Sequence, residues 1–87
     1  MDLERWKTIS KRDQLGHIAA EILRARGAEN VNLFRALLER ALTLVDLTLE
    51  DPKWKDSTLM LLRLRDEVAK AYESGRVQEA EKVYAVI

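Results

Sequence analysis

Cysteine is absent, which excludes a disulfide framework and any thiolate metal site. One proline and three glycines leave too few turn formers for the repeated tight reversals of an all-β fold. Fifteen basic and fifteen acidic side chains cancel, so no net field draws the chain toward nucleic acid or an anionic membrane. Its three parts differ only mildly, at +2 for residues 1–27, −3 for 28–52 and +1 for 53–87. No apolar run approaches the ~20 residues that cross a bilayer, and no signal-like stretch is evident. A cytoplasmic protein is therefore expected, with neither membrane nor nucleic acid as partner. A charged fraction of 34%, with amides scarce, leans toward a heat-adapted source.

What the chain does have is helical periodicity. Its 87 residues, 47% of them hydrophobic, suffice for one domain with one core, small enough that association would add useful burial. The most informative stretch lies between Asn30, which can cap a helix, and Pro52, which must stop one. Its apolar residues lie almost all round the helix, and its sustained polar line is only Arg35, Glu39, Asp46 and Glu50. A helix of that kind needs cover on every side.

Three further segments accompany this spine. Ser10 with Asp13 resembles a capping box and opens a helix over about 11–26, where Gly27 suits a left-handed stop. Asp56 or Ser57 can cap a helix over about 57–73, with Leu61, Leu64, Val68, Ala71 and Tyr72 in one stripe. A short fourth helix over about 76–86 carries Val77, Ala80, Val83, Tyr84 and Ile87 on one side. The expectation is an all-α antiparallel bundle of three long helices, about 11–26, 31–50 and 57–73, plus the short C-terminal one. Residues 1–9 read as a lead-in whose Trp6 lies over the bundle end, as packing or as an exposed anchor.

Three helices leave part of the spine uncovered, and the fourth is short. A two-fold homodimer through the second and third helices follows as an expectation, with Leu37, Ala41, Leu44, Leu61 and Leu64 as interface residues. Side-chain stems covering the spine within a monomer are the plainer alternative. Arg63 and Arg65 point about 200° apart on an ideal helix, so one of them is expected to reach Asp46 or Glu21.

Candidate chemistry is sparse. His17 and Glu21, one turn apart, are half of a metal site or simply a surface hydrogen bond, and the surface bond is the simpler reading. No metal or other cofactor is expected. Arg5, Lys7, Lys11 and Arg12 surround Trp6 in a small echo of a nucleic-acid surface, diluted by Asp2, Glu4 and Asp13.

Arg12 to His17 resembles, over six residues, the short motif of HEPN-type helical ribonucleases. That likeness implies metal-independent RNA cleavage, with Arg12 holding phosphate and His17 as acid or base. Residues 71–84 resemble the middle of a tetratricopeptide repeat, but one hairpin cannot make a solenoid. At the level of the chain, Trp6-Lys7, Gln14, Ile18, Glu21, the run from Leu42 to Leu49 before Asp51-Pro52, and Leu61 to Glu67 resemble a family of small uncharacterised bacterial and archaeal proteins. That resemblance spans about 6–72 and implies a helical bundle with no assigned activity. The chain thus reads first as a non-catalytic protein-protein interaction module, with the ribonuclease as the alternative.

Overall fold

The computed structural model describes residues 1–84, with side chains except at Glu81, Lys82 and Tyr84. The described elements are all helical: α1 (Leu3–Lys7), α2 (Lys11–Arg26), α3 (Val31–Leu49), a 3-10 turn (Pro52–Ser57), α4 (Thr58–Ser74) and α5 (Glu79–Tyr84). The expected continuation of the last helix to residue 86, and Ile87, lie outside the described residues. Side-chain caps start the first three helices and the 3-10 turn. Asp2, Ser10 and Asn30 each accept the N–H three residues on, and Asp51 accepts from the Lys53 N–H, satisfying donors that a helix start leaves open. Residues 1–9, expected as a lead-in, thus contain a helix of their own.

The core is one cluster drawn from every helix: Trp6 from α1; Ile18, Ile22 and Ala25 from α2; Phe34, Leu37, Leu38, Ala41 and Val45 from α3; Leu64, Val68 and Ala71 from α4; Ala80 and Val83 from α5. α3 packs against α1, α2 and α4, while α5 packs against α2 and α4. The spine is not encased, however. Its buried residues occupy an arc of only about 100° on an ideal wheel. Asn32, Ala36, Glu39, Arg40, Thr43, Asp46 and Glu50 face water, and Leu42, Leu44, Leu47 and Leu49 are half-buried at the margins. Two small residues, Ala36 and Thr43, widen the charged line into an ordinary solvent face.

Polar contacts tie α3 to α4 along one seam. Arg65 Nε donates to Asp46 Oδ1 at 2.7 Å, and Tyr72 OH donates to Glu39 Oε1 at 2.9 Å. The Arg65 pair is exposed on both sides, so it adds little stability. Arg35 does more: its Nε donates to the Tyr72 carbonyl at 3.0 Å and its guanidinium lies over the Tyr72 ring. That places a cation against the negative end of α4.

The glycines divide differently from expectation. Gly27 has φ −95°, outside the left-handed region, and closes α2 with N–H bonds back to Arg24 and Ala25. The left-handed stop is Gly75, at φ 65° after α4. A Cβ on Gly75 would sit 3.0 Å from Arg35 Nη2 and 3.1 Å from Val31 Cγ2, so both the conformation and the space call for glycine. We expect Gly75→Ala to destabilise the fold by about 1–3 kcal/mol, read from the urea midpoint. An unchanged midpoint would contradict this packing of α4's end on α3.

Candidate functional site

The most concentrated polar chemistry lies at the end of the bundle, where α1, the start of α2, the end of α3 and the 3-10 turn meet. Gln14 is fully buried at its centre. Its Nε2 donates to the Trp6 carbonyl at 2.8 Å and to Asp51 Oδ2 at 2.9 Å, while its Oε1 accepts from Trp54 Nε1 at 2.6 Å. Trp6 Nε1 donates to Thr48 Oγ1 at 2.9 Å, and Thr48 donates in turn to the Leu44 carbonyl. Lys53 Nζ bonds Asp51 Oδ2 at 2.7 Å and the carbonyls of Lys7 and Ile9 at 3.0 and 2.9 Å, which closes the C-terminal end of α1. Both amide ends of Gln14 and both indole N–H groups are satisfied. That is the condition under which buried polar groups hold a fold together rather than weaken it.

This cluster is closed, so it reads as a structural latch. Trp6 has no exposed surface and Trp54 is 4% exposed, which removes the exposed-anchor reading of Trp6 and denies a nucleic acid any ring face there. Lys11 instead sits over the Trp54 ring and Lys7 lies 3.7 Å from Glu4.

Burial alone would raise the Asp51 pKa. Hydrogen bonds from Lys53 Nζ, Gln14 and the Lys53 N–H, with the Lys53 charge, outweigh it and lower the value from 3.8 to about 2. A carboxylate whose pKa falls on folding stabilises the native state above its unfolded value and loses that contribution as pH drops through the folded one. We therefore expect stability to decline between about pH 4 and pH 2, and Asp51→Asn to flatten that part of the pH profile measured by thermal melts. An equally steep decline in Asp51→Asn would show that the latch does not depend on the Asp51 charge.

The residues expected at an interface are placed differently. Leu37, Ala41, Leu61 and Leu64 are buried within the single chain, and only Leu44 reaches the surface, half-buried on the α2–α3 side. The large apolar side chains that do face water include Leu59 (74% exposed) and Leu62 (48%) on α4, Val31 and Leu33 at the start of α3, and Leu23 on α2.

Arg12 and His17 are both exposed, and five residues of helix set them about 140° apart, so the chain itself does not converge them. The His17 ring instead leans on Trp6, with centroids 5.9 Å apart. Glu21, its expected neighbour, is bridged by Arg24 at 2.8 Å. Among the described residues no three His, Asp or Glu gather as metal ligands.

A groove runs between α2 and α3. One hollow, about 210 Å³, is lined by Met1, Trp6, His17, Ala20, Glu21, Arg24 and Leu44. An adjoining one of about 230 Å³ shares Met1, Glu21 and Leu44 and adds Arg40 and Thr43. No periodicity points to this groove, because its residues come from the margins of two amphipathic helices.

The chain matches no family model, no curated protein and no solved structure. The fold defines a small all-α bundle, and no described helix is long and apolar enough to cross a membrane.

Proposed function

We propose that the protein is a non-catalytic helical interaction module that associates with a second copy of itself. The reading rests on Leu59 and Leu62, exposed on the outer face of α4's first turns in a chain whose core is otherwise closed by its own helices. Two large aliphatic side chains three residues apart on a helix form a contiguous apolar ridge, the usual centre of a helix-to-helix contact. Zero net charge removes long-range repulsion between copies. Arg63 and Asp66 flank the ridge, and a two-fold contact between α4 helices would set each against its opposite on the other copy. The second copy covers the ridge, while Leu37, Ala41, Leu61 and Leu64, first expected at the contact, lie buried behind it.

Light scattering across a dilution series tests this. The wild type is expected at the mass of a dimer, and Leu62→Asp at that of a monomer. At dilutions where both chains are monomeric, stability should differ by no more than about 0.5 kcal/mol, since both leucines lie outside the core. A wild type that stays monomeric into the millimolar range, or a dimer indifferent to both Leu59→Asp and Leu62→Asp, would overturn the reading.

A further inference from the structure

Arg35 and Gly75 hold the end of α4 in a stopped form by competing with its continuation. In an unbroken helix the Tyr72 and Glu73 carbonyls would accept from the N–H groups of Arg76 and Val77, four residues on. Arg35 takes that place from α3: its Nε donates to the Tyr72 carbonyl at 3.0 Å, and its Nη2 lies 3.5 Å from the Glu73 carbonyl. The Arg76 N–H turns aside to Ser74 Oγ at 3.1 Å. Gly75, at φ 65°, makes the bend, and its N–H closes on the Ala71 carbonyl. The connection to α5 is then only Gly75 to Gln78, with no proline in it to forbid a helix.

The bend delivers a short arm. α5 would not be helical alone at its length; it packs against both α2 and α4 and buries Ala80 and Val83 completely. Those two side chains are a small anchor beside the aliphatic rows of the longer helices. Releasing the arm therefore costs less than unfolding the bundle, as a local opening. The released arm and the uncovered face between α2 and α4 are complementary, because in this structure one is seated on the other. A second copy brings an identical arm to that face and preserves each of those contacts.

We infer that α5 is an exchangeable arm: with Arg35 displaced and residues 75–78 helical, α4 runs on into α5 and seats it between α2 and α4 of a second copy. The exchange is reciprocal about a two-fold axis, so it closes at a dimer. Arg35 and Gly75 set the balance, and in the wild type they keep the arm on its own chain at dilution. The exchange works at the opposite end of α4 from Leu59 and Leu62 and does not rest on the leucine ridge.

The test is made in a Leu62→Asp background, which removes the ridge contact, by light scattering and by isotope-filtered NOE spectra of mixed labelled and unlabelled chains. Gly75→Ala removes the left-handed bend and adds helix propensity, and should shift the balance toward the exchanged dimer roughly thirtyfold or more per chain. Arg35→Met frees the two carbonyls and should shift it about tenfold. Both double variants, refolded from urea at about 1 mM, are expected as dimers in which NOEs from the Val83 methyls to α2 and α4 run between copies. Double variants that stay monomeric at that concentration, or dimers whose Val83 NOEs lie within one copy, would overturn the proposal. If Gly75→Ala does not fold, Arg35→Met decides by the same two readings, since it leaves Gly75 free to adopt either form. A monomeric wild type would count against the leucine ridge and not against the arm, because these variants already lack the ridge contact.

Discussion

The primary amide of Gln14 is the contact on which the rest of this small bundle depends. One side chain bonds the backbone of α1, the carboxylate that caps the 3-10 turn, and the indole of that turn, joining positions 8, 37 and 40 residues away in sequence. Each such bond contributes only about 1 kcal/mol net, whereas stranding its buried partners would cost about 1–3 kcal/mol apiece. The arrangement therefore acts through what its absence would leave unsatisfied. Helices as short as α1 are not stable alone, so α1 exists because Trp6 is buried and because Lys53 and Gln14 hold its carbonyls.

Fixing that end also fixes the surfaces. Once Trp6 is drawn under α3 through Thr48, His17 packs on its ring, and the groove beside Glu21 gains a rigid end wall. Arg35 and Gly75 tie the end of α4 to α3 by a different device, a cation on helix-terminal carbonyls at a place only glycine fits. Between these two anchors the core is apolar packing of aliphatic side chains around Phe34. What remains outside it includes the leucines of α4 and the groove between α2 and α3.

Much of the fold was legible in the sequence, for identifiable reasons. Ser10 and Asn30 announce helix starts because their short acceptors reach back to the N–H three residues on, and both do so here. The all-α class follows from periodicity together with the scarcity of turn formers. Gln14 and Thr48 were not legible as core because apolar stripes omit polar residues. Yet Gln14 lies one turn before Ile18 on the buried line through Ile22 and Ala25, and Thr48 continues the line of Ala41 and Val45. A polar residue on a buried line, with tryptophans elsewhere to receive it, was the available signal. Gly27 and Gly75 both follow helices, and their difference lies in what packs on them, which no local pattern states. Periodicity likewise selects Leu37, Ala41, Leu61 and Leu64 without saying whether they meet their own chain or another.

On this reading the Gln14 latch closes the bundle end as firmly as the core itself. Hydrogen exchange of the two indole N–H protons in the native protein distinguishes a closed end from one that opens locally. The Trp6 and Trp54 indoles are expected to exchange as slowly as the best-protected amides of α3, only through global unfolding. Indole exchange orders of magnitude faster than those amides would show the end opening on its own, and would contradict it.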